Sequence, residues 1–192
     1  APTCKVVSVA ARNASKVRPF SSEVVMLDGH PGWIVRDATA APNGHIIAKS
    51  GPVIKMWSPD GDELRTLDIG ASEDDIIVAL TLMPDGTRFI ASYDSNLKLY
   101  TLDGAVIRTI FDDDDSSYVT CIAALPDGVH VVIGLSTDHH DLNHDYHEDN
   151  EVRLYNVVDG SLVSVIGYTN AVSAVAVTTD GQHIIIGSDD RL

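Results

Sequence analysis

The sequence predicts an all-β chain built from repeated four-stranded antiparallel units, and three observations carry that reading. Turn triplets recur as Pro42-Asn43-Gly44, Pro84-Asp85-Gly86, Pro126-Asp127-Gly128 and Thr179-Asp180-Gly181, so that glycines 44, 86, 128 and 181 stand 42, 42 and 53 residues apart. Behind each of the first three triplets an alternating strand ends on an aromatic residue, in Lys55-Met56-Trp57, Lys98-Leu99-Tyr100 and Arg153-Leu154-Tyr155. A second turn follows each time, at Asp60-Gly61, Asp103-Gly104 and Asp159-Gly160. No stretch reads as a helix. Asp-Gly pairs suit tight hairpins because glycine tolerates the positive φ that such turns demand. Self-similarity at this period, with four short strands in each, is the signature of β-propeller blades.

The elements follow in order. Residues 1–23 read as an N-terminal arm or closing strand, with Lys5 to Ala10 as the candidate strand. The repeats occupy 24–192. The first runs from about Glu23 to Leu67, with an outer strand leading in through Val24 to Leu27, an inner strand near Trp33 to Ala38, and Ile46 to Ala48 and Val53 to Trp57 completing it. The second covers about Asp68 to Ile110 and the third about Phe111 to Ile166. Their inner strands are the apolar runs Ile76 to Leu82 and Tyr118 to Leu125, and Ala171 to Val177 opens a fourth. The fourth repeat has two strands. Because a strand pair without outer neighbours leaves an exposed edge, the expectation is that missing blades or a second chain complete the ring.

In rhythm these repeats resemble the WD40-repeat family, whose period is about 40 to 45 residues. The resemblance covers roughly 24–192. Gly29-His30 stands where the family carries Gly-His, and Trp57, Tyr100 and Tyr155 stand at the place of its Trp-Asp dipeptide. The four-residue hydrogen-bonded set that ties a family blade together is incomplete in every repeat: the first keeps His30 and Trp57, the second Ser92 and Asp94. Apolar packing is therefore expected to hold the blades. The resemblance implies a non-catalytic protein-interaction scaffold.

Composition narrows the partner. The formal net charge is −15, from 28 acidic against 13 basic side chains. That balance disfavours nucleic acid, whose affinity for proteins comes from Lys and Arg, and favours basic protein segments or cations. No apolar run reaches the length of a membrane span, so no membrane partner is expected. Cys4 and Cys121 make no disulfide framework, which suits a reducing, cytoplasmic setting, although Asn13-Ala14-Ser15 fits a glycosylation pattern. No nucleophile elbow, phosphate-cradling loop or His-Glu-x-x-His motif occurs.

Function is thus expected in loops. On the end of the ring where inner strands begin, the sequence sets Asp28, Asp68, Glu73, Asp74, Asp75, Asp112, Asp113, Asp114, Asp115, Asp138, Asp141, Asp145, Glu148 and Asp149, half of all the acids. An acidic face built from Asp74, Asp75 and Asp112 to Asp115, with Trp33 as an aromatic anchor, is the expected site for a basic partner. Aspartate also suits turns for purely local reasons. The insertion that lengthens the third interval, residues 138–149, holds four of the eight histidines and gives the alternative, a divalent-cation module using His139, His140, Asp141, His144, Asp145 and His147. The pairs expected to chelate there are His140 with His144, or His144 with His147.

Overall fold

The computed structural model describes residues 5–9, 24–28, 37–41, 43–50, 52–69, 77–93, 95–112, 117–140, 146–168 and 170–188; at 5–9, 24–28, 50, 77, 117, 137–140, 146–149 and 168 it describes the backbone alone. In chain order the strands are β1 (Lys5–Val9), β2 (Val24–Asp28), β3 (Asp37–Ala40), β4 (Ile46–Ser50), β5 (Val53–Trp57), β6 (Glu63–Asp68), β7 (Ile77–Leu82), β8 (Arg88–Tyr93), β9 (Asn96–Thr101), β10 (Val106–Asp112), β11 (Ser117–Ala124), β12 (His130–His140), β13 (Tyr146–Asn156), β14 (Leu162–Tyr168), β15 (Val172–Val177) and β16 (Ile184–Ser188). Three four-stranded antiparallel sheets form, β3-β4-β5-β6, β7-β8-β9-β10 and β11-β12-β13-β14, followed by the two-stranded β15-β16. The fold is all-β, a partial propeller of three blades and the first half of a fourth.

The turns explain the blades. In the first hairpin of each repeat the glycine N–H bonds back three residues, Gly44 to Ala41, Gly86 to Met83, Gly128 to Leu125 and Gly181 to Thr178. All four glycines have φ between 66° and 85°. The outer hairpins turn at Gly61, Gly104 and Gly160, also at positive φ. The Gly104 N–H reaches Thr101 and the Thr101 N–H reaches Ala105, which is a type I turn closed by a left-handed residue. Each blade therefore uses two glycines that a branched residue could replace only under strain.

One expectation for the first blade needs correction. Val24 to Leu27 is not its outer strand: β2 pairs with β1 along Lys5↔Asp28 to Val9↔Val24, and β6 takes the outer edge of β5. The Asp60-Gly61 turn delivers β6 to that edge after a few residues, and a short closure costs less chain entropy than a long one. Of the expected inner strand the structure describes Asp37–Ala40; Trp33 lies outside the described residues.

The core lies between blades, as the incomplete hydrogen-bonded set led us to expect. Ile47, Ile54 and Met56 of the first blade pack with Leu80, Phe89 and Tyr100 of the second. Ile90, Leu97 and Leu99 pack with Val131, Ile133, Leu135 and Tyr155 of the third, and Val132 and Val152 pack with Val172. Trp57 is buried at 1% exposure, in the core as its place in the repeat implies. Full burial of one such side chain contributes about 1.5–3 kcal/mol. Aromatic contacts add direction: Phe89 stacks on its cross-strand partner Tyr100 at 5.0 Å, and Phe111 meets Tyr155 of the next blade at 6.1 Å.

Candidate interaction face

Antiparallel hairpins sort every connection to one of two ends. The Pro-x-Gly triplets and the Asp-Gly turns share the lower end; the starts of β7, β11 and β15 and the ends of β6, β10 and β14 share the upper one. The two ends use acids differently.

At the lower end aspartate builds turns. Asp85 accepts hydrogen bonds from the Thr87 and Arg88 backbone N–H groups at 2.8 and 3.2 Å and pairs with the Arg88 guanidinium at 2.6 Å. Asp127 accepts from the Val129 and His130 N–H groups and meets the His130 ring at 2.6 Å. Asp159 accepts from Ser161, and Asp180 from Thr178 and Gln182. Partial burial pushes the Asp85 and Asp127 carboxyls up, but the hydrogen bonds outweigh it and hold both below the ordinary carboxylate range. Side-chain hydrogen bonds from Ser161 and Thr178 lower Asp159 and Asp180 likewise. Cations gather here too: Arg65 bridges blades one and two to Asp103 at 3.1 Å, and Arg108 donates to the Asp159 carbonyl of blade three at 3.2 Å. These acids are explained by local structure.

At the upper end they are not. Asp68 and Asp112 close the outer strands of the first two blades at equivalent places, Asp68 opposite Val53 and Asp112 opposite Asn96. Both are exposed, and neither makes an ion pair among the described residues. Glu73, Asp74, Asp75, Asp113, Asp114, Asp115, Asp141, His144 and Asp145 lie outside the described residues, as does Trp33, so of the expected acidic face the structure positions Asp112 and the equivalent Asp68. Asp138, Glu148 and Asp149 sit on β12 and β13 where these extend past the blade edge.

That extension sets a register the spacing along the chain does not reveal. The β12–β13 ladder runs to His140↔Tyr146 and places His139 directly opposite His147. The expected pairs both involve His144, which lies outside the described residues. At the foot of the extension Asn150 is buried with both amide atoms lacking a hydrogen-bond partner. Among the residues whose side chains are described, no three His, Cys, Asp or Glu cluster to hold a metal.

The sequence reading also missed a cavity of 480 Å³ where the inner strands meet, lined by Asp37, Lys49, Thr120, Cys121 and Ser173 among others. Its polar groups act as clamps. Asp37 accepts from the Leu80 N–H at 3.3 Å, Lys49 donates to the Val78 carbonyl, Thr120 donates to the Val172 carbonyl at 2.6 Å, and Ser173 donates to the Gly187 carbonyl at 3.3 Å. Burial pushes the Cys121 thiol up, away from the reactive thiolate. The signal for this site is Asp37 opposite Lys49, an opposite-charge pair on the rung of the first hairpin farthest from its turn, which becomes visible only once the register of β3 on β4 is known.

Comparison with known proteins agrees with the architecture. The sequence model of the WD domain, G-beta repeat, matches residues 160–192. That match begins at the Gly160 turn and takes in the outer strand of blade three with the half-formed fourth blade, where the turn signals of the earlier repeats recur. Among solved structures, a chain of Kuenenia stuttgartiensis hydrazine synthase superposes with a TM-score of 0.66 at 15% identity, over 85% of this chain and 46% of that one. The likeness is one of fold. The chain thus spans about half the length of that neighbour. No curated protein sequence matches.

Proposed function

We propose that the chain is a non-catalytic protein-interaction scaffold whose upper end binds basic peptide or protein segments. WD40 repeats generally serve protein–protein interaction, which sets the class. The division of labour between the two ends carries the finer reading. At the lower end Asp85, Asp103, Asp127, Asp159 and Asp180 are engaged by turn N–H groups, hydroxyls, His130 or arginines, while Asp68 and Asp112 stand exposed at equivalent strand ends, beside connections rich in Asp and Glu. Unneutralised carboxylates on one end create a field that speeds encounter with a cationic segment and weakens with salt. A further segment or a second chain on the β14–β16 side also fits, since Leu162, Val163, Val165, Ile166 and Ile185 are about half exposed there.

The test is binding of a labelled Lys/Arg-rich peptide by fluorescence anisotropy, at low salt and with added salt. Asp68→Asn with Asp112→Asn is expected to weaken binding about three- to tenfold, and Asp60→Asn with Asp103→Asn to leave it unchanged. Salt-independent binding, or equal losses from both pairs, would remove the acidic end from the account.

A further inference from the structure

The third blade differs from its neighbours in one place, the length of its central hairpin. β12 and β13 are eleven residues each, whereas their counterparts β4, β5, β8 and β9 are five or six. The β8–β9 ladder starts at Arg88↔Thr101 and ends at Tyr93↔Asn96; the β12–β13 ladder starts at the equivalent His130↔Asn156 and continues without a bulge to His140↔Tyr146. On the β14 side the last pair is Asn150↔Tyr168 and on the β11 side it is Thr137↔Ser117; no third strand pairs beyond these among the described residues. The rungs Asp138↔Glu148, His139↔His147 and His140↔Tyr146 are therefore a two-stranded ribbon standing off the upper end, just past the Thr137↔Asp149 rung where β11 ends. Such ribbons are marginal in water by themselves. This one also sets two acids opposite one another at Asp138↔Glu148, which costs further stability.

Strand alternation divides the ribbon into two faces. Thr137, His139, His147 and Asp149 share one; Asp138, His140, Tyr146 and Glu148 share the other. Directly opposed residues have Cβ atoms about 4.5–5.5 Å apart. Two imidazole nitrogens bound to one zinc at about 2.0–2.1 Å lie roughly 3.3 Å apart in tetrahedral geometry, a separation that convergence from opposed positions allows. Asp149 is two residues from His147 on the same face and diagonal to His139. Two histidines and an aspartate placed on one face are residue types that suit Zn²⁺, Cu²⁺ or Ni²⁺ and not the all-oxygen preference of Ca²⁺ or Mg²⁺.

We propose that the His139↔His147 rung, with Asp149 on the same face of the hairpin, is a cross-strand site for one divalent transition-metal ion, which clips the ribbon shut. A bound cation offsets the Asp138–Glu148 repulsion and fixes the geometry in which the ribbon is presented. The proposal stands independently of the scaffold reading, since a metal-clipped ribbon needs no partner and the scaffold needs no metal.

The full chain, freed of metal by chelation and titrated with zinc chloride in a calorimeter, tests it. One zinc per chain with a dissociation constant on the order of 1 µM is expected. His139→Ala and His147→Ala should each weaken it about tenfold or more, whereas His140→Ala, on the other face, should leave it unchanged. Imidazole NMR of the unsubstituted chain gives a second measurement that needs no variant: zinc should shift the His139 and His147 rings and spare His45, His130 and His183. Absence of saturable binding, several weak sites shared by all the histidines, or a loss with His140→Ala equal to that with His139→Ala would overturn the site.

Discussion

A single aspartate has two possible employments in this chain, and its hydrogen-bond partners tell which applies. Asp85 and Asp127 each satisfy two backbone N–H groups in a turn, and an arginine or histidine adds a third contact. Their folded pKa values lie below the unfolded ones, because the hydrogen bonds overcome the upward push of burial. Such groups contribute stability that is fully present above the unfolded carboxylate value of about 4 and is lost as pH falls through the folded values. Unfolding free energy is therefore expected to fall on acidification below about pH 4, and Asp85→Asn with Asp127→Asn should flatten that slope. Urea titrations across acidic pH check it; an unchanged slope would mean these turns are not what acid breaks. The turn role was legible from the Pro-Asp-Gly spelling. The pairing of Asp127 with His130 was not, since the sequence marks His130 only as a hairpin residue, and its contact depends on both returning to one side of the turn.

Among the elements, the third and fourth blades approach closely at one glycine. Gly134 of β12 lies where β11 and β15 approach: a Cβ built there would stand 2.6 Å from the Cys121 Sγ and 2.8 Å from the Val172 Cγ1. Thr120 spans the same junction by donating to the carbonyls of Gly134 and Val172. Gly134→Ala is expected to cost about 1–3 kcal/mol, the usual penalty for overpacking, measured as a lower urea midpoint. A neutral result would show that β15 moves aside freely and is not packed as described. The repeat rhythm located β7, β11 and β15 within a residue or two, because apolar alternation and a turn triplet flank each. It misplaced the first blade's outer strand, because Val24 to Leu27 reads as a strand whichever neighbour it has, and periodicity carries no information on pairing partners. The same limit hid the His139–His147 rung: register is counted around the hairpin loop, not along the chain.

At the scale of the whole molecule the propeller sorts chemistry by end. Alternating hairpins send the Asp-built turns one way and the blade-to-blade connections the other, with Asp68 and Asp112 exposed at equivalent strand ends on the latter side. The even spacing of turn triplets made this sorting readable from the sequence. The electrostatic character of the upper end was readable as a count of acids, but not as geometry, because strand ends such as Asp68 and Asp112 acquire equivalent places only when the blades align.

Hydrogen exchange read by mass spectrometry, on the chain with and without a Lys/Arg-rich peptide, tests that central claim most directly. Protection is expected at the upper end, in peptides spanning 68–77, 112–117 and 138–149, with the lower turns at 83–88, 125–130 and 178–183 unchanged. Protection confined to the lower turns, or none at a saturating peptide concentration, would contradict the assignment of the upper end as the binding face.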